Sequence, residues 1–212
     1  VGAGARQLLL VRHGQYQNES NKDVNDCDRV LTDIGRCQAV QTGEFLARSL
    51  SESKGSSMFV SKSLEAIHVS DLTRAQQTAS LILDAFPTDV RERLQDVDYL
   101  LRERYPCDVE PPSRKRAKSK NVDLADEAFH KYFFRPTDGR KTVELIVGHG
   151  NMIRYFVCRA LQFPPEAWLR FSIPHTSITS IIIRGDGSVK LVAYGSFSHL
   201  APLFQTISNI PQ

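Results

Sequence analysis

The chain has 212 residues, a formal net charge of +3, 41% hydrophobic and 24% charged residues. That length suits one large domain or two small ones with a real core, and the fractions are those of an ordinary soluble globular protein. So slight a charge argues against wholesale nucleic-acid binding, and no apolar stretch approaches membrane-spanning length. Cys27, Cys37, Cys107 and Cys158 show no CxxC spacing. A disulfide framework or a zinc site is therefore not expected, and reduced, mostly buried thiols are. No signal or transit peptide is visible. The chain opens at Val1 rather than a methionine, so this says little about the native gene product.

In chain order, Leu8-Leu9-Leu10-Val11 is an apolar run that stops abruptly at Arg12-His13-Gly14. It reads as a buried strand of a parallel sheet whose carboxyl end delivers a cation and an imidazole into the crevice where α/β sheets bind ligands. Thr32-Asp33-Ile34-Gly35 offers an N-cap for a helix reaching about Leu50. Residues 51–62 are polar and Gly/Ser-rich and predict an exposed loop. Ala66-Ile67-His68-Val69 predicts a second strand. The helix after it runs from Thr73 to Phe86, with Ala75, Ala79, Ile82, Leu83 and Phe86 on one face. Residues 144–147 predict a third strand. Ile153, Phe156, Val157, Ala160 and Leu161 then follow helical spacing until Pro164-Pro165 ends the helix. Residues 179–184, the turn Gly185-Asp186-Gly187 and residues 189–194 predict an antiparallel hairpin. The repetition of strand and helix implies a single α/β domain over 1–212. Its expected form is a three-layer sandwich with a mostly parallel twisted sheet, helices on both faces and an antiparallel C-terminal edge. Residues 107–140 are the least regular, with prolines, a basic run and a short helix near 123–134. They read as an insertion placed to cover the sheet's carboxyl edge.

Leu145-Ile146-Val147-Gly148-His149-Gly150 repeats the pattern of apolar run, histidine and glycine. Ser70-Asp71-Leu72-Thr73-Arg74 puts Arg74 in the first turn of a helix, where backbone N–H groups and the dipole already favour an anion. An arginine there suits bidentate contact with phosphate oxygens. Tyr99-Leu100-Leu101-Arg102-Glu103 ends another apolar stretch on a carboxylate, preferred as the acid to Asp108 or Glu110 nearby. The pair Arg12-His13, then Arg74, Glu103 and His149, thus follow four separate apolar segments, and together they point to a phosphate. His68 lies in an apolar strand and reads as a core histidine. His175 reads as a turn residue before a pocket residue, and His130 and His199 carry no functional signal. Trp168 and Phe171 read as packing. The run Arg114-Lys115-Arg116-Ala117-Lys118-Ser119-Lys120 reads first as a solvated loop, ahead of a strip for acidic phosphopeptide or phospholipid and of a nuclear-import run.

The combination and order of these motifs resemble the histidine phosphatase superfamily, which includes the cofactor-dependent phosphoglycerate mutases. The carrying segments are Arg12-His13-Gly14, Leu31 to Ala39, Ser70 to Ala75, Leu101-Arg102-Glu103 and Gly148-His149-Gly150. Residues 151–170 and Arg12-His13-Gly14-Gln15-Tyr16 are similar to its branch of mitochondrial serine/threonine protein phosphatases. The resemblance implies that His13 is the nucleophile of a phosphohistidine mechanism. It implies that Arg12, Arg74 and His149 join His13 in holding the phosphoryl group. It assigns Glu103 the proton transfers, with a pKa raised by burial. Neither metal nor cofactor is implied.

The activity implied is hydrolysis of phosphomonoesters, on phosphoserine and phosphothreonine of proteins. A small-molecule phosphatase or residual mutase is the alternative. A non-catalytic phosphate-dependent interaction module is a second, against which the presence of His13, Glu103 and His149 speaks, because a pure binder needs no proton donor. The resemblance also implies a mitochondrial location, self-association and a membrane anchor upstream of Val1, and no nucleic-acid partner. Two departures favour hydrolysis over mutase chemistry. Glu19 stands where mutases carry an asparagine six residues after the histidine, with Asn18 one place early, and the stretch from Glu103 to His149 is shorter than theirs. Gly14 stands where members of the closer branch carry serine.

Overall fold

Every residue of Leu8-Leu9-Leu10-Val11 is fully buried, which requires that both faces of this strand be covered. The computed structural model describes residues 4–17, 25–52, 59–93, 97–111 and 122–208. Among these it shows strands β1 (Ala5–Arg12), β2 (Leu64–Val69), β3 (Lys141–Gly148), β4 (Ile178–Arg184) and β5 (Val189–Ser196). They form one sheet in the order β2-β3-β1-β4-β5. β2, β3 and β1 run parallel, while β4 pairs antiparallel with both β1 and β5. The helices are α1 (Asp33–Ser51), α2 (Thr73–Leu83), α3 (Thr88–Arg91), α4 (Val122–Tyr132) and α5 (Gly150–Ala160).

The strand period of two sorts side chains into the two covering layers. Leu9 and Val11 of β1 and Leu145 and Val147 of β3 join Leu46 of α1 and Ile82 of α2 in one core. Leu8 and Leu10 of β1 and Ile146 of β3 join Ala125 and Ala128 of α4 and Phe156 of α5 in the other. Each such side chain contributes about 1.5–3 kcal/mol on burial. The expected three layers are therefore present, with the antiparallel hairpin at the C-terminal edge. No helix among the described residues is long and apolar enough to cross a membrane.

The strands start earlier than the apolar pattern indicates. Arg6 and Glu144 are buried within β1 and β3 because they pair, with Nε and Nη2 of Arg6 donating to the two Glu144 carboxylate oxygens at 2.8 and 2.6 Å. The polar loop expected over 51–62 is shorter: α1 runs through Ser51, Phe59 is buried in the first core, and residues 53–58 lie outside the described residues. α2 stops at Leu83, before Phe86, and α3 follows Pro87 without a clear sequence signal. Of the thiols only Cys158 is buried. Cys37 is exposed, and Cys27 and Cys107 are half-buried, so the expectation of mostly buried thiols does not hold. The helix expected near 123–134 is α4, and its alanines face the second core, so it belongs to the helical layer rather than to a cover over the sheet edge. The basic run 114–120 lies outside the described residues.

Candidate active site

The carboxyl ends of β1, β2 and β3 bring the singled-out residues together. Arg12 closes β1 and His13 follows it, its N–H donating to the Gly148 carbonyl at the end of β3 at 2.9 Å. His149 is the N-cap of α5, and its imidazole centroid lies 5.0 Å from that of His13. Arg74 stands in the first turn of α2. Close backbone approach fixes the turn after His13: a Cβ on Gly14 would sit 2.6 Å from the Gly35 carbonyl oxygen in the first turn of α1. That turn is held by Thr32, whose Oγ1 accepts from the Gly35 N–H at 3.1 Å.

The hydrogen bonds assign the His13 tautomer and bear on that of His149. His13 Nδ1 lies 2.8 Å from the Gly14 carbonyl oxygen. A carbonyl only accepts, so Nδ1 carries the proton and Nε2 carries the lone pair. His149 Nε2 lies 2.9 Å from Ser70 Oγ, which also accepts from the Leu72 N–H at 3.4 Å. When the Ser70 hydroxyl donates to Nε2, the His149 proton lies on Nδ1. Burial pushes both imidazoles well below the ordinary histidine pKa, and nearby cations add to the effect. Both rings are neutral at pH 7.

The arginines are held from behind. Arg12 Nη1 donates to the Ile173 carbonyl at 2.6 Å and Nη2 to Ser208 Oγ at 2.5 Å. Burial lowers its pKa to about 10, which still leaves it charged. Arg74 is 2% exposed, and its terminal nitrogens engage Asp26: Nη1 reaches the Asp26 carbonyl at 2.9 Å and Nη2 the carboxylate at 3.2 Å. Its guanidinium carbon lies 4.8 Å from the Tyr16 ring centroid. Arg12 Nε, Arg74 Nε and His149 Nδ1 are all buried without a hydrogen-bond partner among the described residues. Unpaired buried donors are costly, and three of them beside one imidazole lone pair form a set that an oxyanion satisfies.

Glu103 follows the short 3-10 turn Tyr99–Leu101 and lines a cavity of about 290 Å³ with Arg12, Asn151 and Arg154. Burial raises its pKa, against the pull of Arg12 and Arg74 and a hydrogen bond from the Asn151 backbone. Asp108 and Glu110 are exposed and do not line that cavity. A carboxyl group with raised proton affinity next to two cations can hold a proton and release it as negative charge develops nearby.

Three supporting residues escape the sequence reading, and a fourth, His175, lies beside the site although the sequence reads it first as a turn residue. Asp26 lies in a polar stretch with nothing to mark it. Asn151 and Ser208 likewise carry no local signal. His175 does stand in a turn, yet it is 4% exposed, its ring centroid is 6.1 Å from that of His13, and Thr206 and Ser208 hydrogen-bond its two nitrogens. His68 is half-buried rather than core, 3.7 Å from Glu144 and with its ring tilted against that of Tyr132. Trp168 is fully buried, with Nε1 donating to the Cys107 carbonyl, as packing predicts. His199 stacks on Phe45. Among the described residues no group of three metal-ligating side chains is gathered.

This fold and this arrangement are those of a phosphate-handling α/β protein, and the sequence agrees. The pattern of the histidine phosphatase superfamily (branch 1) matches residues 8–110 and 126–195, and the chain belongs to that superfamily. It is similar to the mitochondrial serine/threonine-protein phosphatase Pgam5 of Drosophila virilis, 39% identical over 215 residues that span 97% of this chain and 68% of the relative. The Pgam5 of Drosophila mojavensis is 37% identical over 221 residues, spanning 100% of this chain and 70% of the relative. Among solved structures, the phosphoglycerate mutase of Plasmodium falciparum superposes with a TM-score of 0.62 at 29% identity, over 98% of this chain and 99% of that one.

Proposed function

We propose that this chain is a phosphatase that hydrolyses phosphoserine and phosphothreonine in proteins through a phosphohistidine, and that it acts in the mitochondrion. The observation that carries the chemistry is the set of unpartnered buried donors, Arg12 Nε, Arg74 Nε and His149 Nδ1, beside a His13 ring whose tautomer leaves Nε2 unprotonated. The names of the Drosophila relatives support the protein substrate and the location.

In this reading His13 Nε2 attacks phosphorus in line and forms the N–P bond as the ester P–O bond breaks. Glu103 gives its proton to the departing oxygen. The carboxylate it becomes then takes a proton from water, which attacks the phosphohistidine and returns His13 with inorganic phosphate. Arg12, Arg74 and His149 stabilise the charge that spreads over the phosphoryl oxygens. Burial aids two steps at once. It keeps His13 neutral and nucleophilic, and it raises the proton affinity of Glu103 for the first transfer.

His13→Ala tests the assignment. The variant is expected to fold, to lose at least several kcal/mol of transition-state stabilisation on a phosphothreonine peptide, and to take up no acid-labile phosphoryl label. Folded protein with near wild-type turnover overturns it.

A further inference from the structure

The cavity that holds Glu103 also holds a cation that the phosphoryl chemistry does not require. Arg154 sits on α5 three residues beyond Asn151, so the two share a helix face, and its Nη1 donates to Asn151 Oδ1 at 3.3 Å. The Asn151 backbone in turn hydrogen-bonds Glu103. Arg154 is therefore one residue removed from the acid, within the same 290 Å³ space, a volume near the lower bound of about 300 Å³ for small-ligand pockets.

For a neutral leaving group this placement is counterproductive. The field of Arg154 pulls the Glu103 pKa down, against the rise that a proton donor needs, and it also opposes the charge on Arg12. An anion bound at Arg154 cancels both effects. The phosphoryl dianion already has Arg12, Arg74 and His149, so the second anion belongs to the group that leaves. Tyr105 and Leu169 line the same cavity and supply an apolar wall for the atoms in between.

We infer that Arg154 is a specificity residue that receives a carboxylate on the leaving-group side, so that the favoured substrate carries an acidic residue next to its phosphoserine or phosphothreonine. This rests on the phosphatase reading above. A planar guanidinium suits a carboxylate, and a charge-assisted hydrogen bond of this kind corresponds to about tenfold in kcat/KM.

The test uses two phosphothreonine peptides that differ only by Glu or Gln beside the phosphorylated residue, and the pair 3-phosphoglycerate and glycerol 3-phosphate. The wild-type chain is expected to prefer the Glu peptide about tenfold. Arg154→Gln should bring that ratio close to one, and Arg154→Lys, which keeps the charge but not the fork, should restore part of it. A purely structural arginine lowers both peptides together and leaves the ratio unmoved. Equal wild-type rates on the two peptides, or a ratio preserved in folded Arg154→Gln, overturn the inference and leave the phosphatase reading standing. If Arg154→Gln does not fold, a Lys variant with the full wild-type ratio overturns it equally. Turnover of neither peptide, with a preference for the phosphoglycerate that Arg154→Gln abolishes, keeps the carboxylate site and overturns the protein substrate.

Discussion

Ser70→Ala isolates the tautomer argument from the rest of the site. Ser70 is fully buried at the end of β2, and its backbone N–H stays bonded to the Val147 carbonyl at 3.0 Å whatever its side chain. The substitution removes one oxygen, the one 2.9 Å from His149 Nε2. The ring then stays buried with an unpartnered nitrogen, which costs about 1–3 kcal/mol. The proton is also no longer held on Nδ1. Whenever it sits on Nε2, the site turns a lone pair toward an oxyanion instead of a donor. If that cost falls on the phosphoryl-bound state, kcat/KM drops by about 5- to 150-fold. The assay is threefold: two-bond proton–nitrogen spectra for the tautomer, kcat/KM on nitrophenyl phosphate, and the inhibition constant of inorganic phosphate. All three should move together, and Ser70→Thr, which keeps the hydroxyl, should recover part of the loss. A His149 that keeps its proton on Nδ1, with phosphate inhibition unchanged within twofold, refutes the claim that Ser70 sets the donor.

Glu103→Gln keeps the shape of the acid but carries no transferable proton, so it should slow a phosphothreonine peptide far more than nitrophenyl phosphate, whose leaving group needs less protonation; an equal loss on both substrates refutes Glu103 as the proton donor. Gly14→Ser places a Cβ 2.6 Å from a backbone oxygen of α1 and should lower stability by about 1–3 kcal/mol, read as the urea midpoint, and an unchanged midpoint shows that the turn yields freely. Acid should destabilise the chain through its buried neutral histidines. Burial pushes His175 down to about 3, so between there and about 6.5 the unfolded chain takes a proton that the folded one refuses. This contribution is intact above about pH 6.5, is lost as pH falls, and reaches about 2.7 kcal/mol at pH 4.5 for a single such ring. His13 and His149 act with the same sign. A urea midpoint that stays flat from pH 7 to 4.5 contradicts a neutral buried cluster.

The candidate catalytic residues were legible because they stand where apolar runs end. Leu8 to Val11 must be buried, so the charged residue that follows marks the place where the strand leaves the core, and β1, β3 and the end of β2 all leave it at the same edge. Parallel pairing makes those ends coincide, which is why Arg12, His13 and His149 meet although more than a hundred residues separate them in sequence. The residues that support them are different in kind. Asp26 reaches Arg74 across 48 positions, and Thr206 and Ser208 reach His175 across 31 and 33. Nothing local distinguishes such residues from any polar loop position, because their partners are chosen by the fold. The same holds for Arg6 and Glu144, which lie inside strands where a polar residue alone argues against burial and only the pair permits it. His175 shows both halves of the rule in one side chain. Its turn is local and was readable, while its burial depends on a segment that returns from the C-terminal end of the chain to cover it. A sequence read in isolation therefore recovers the groups at the strand ends better than the groups that hold them in place. Ser70, whose hydroxyl meets the His149 ring while its own segment only announces a helix start, stands on the boundary between the two.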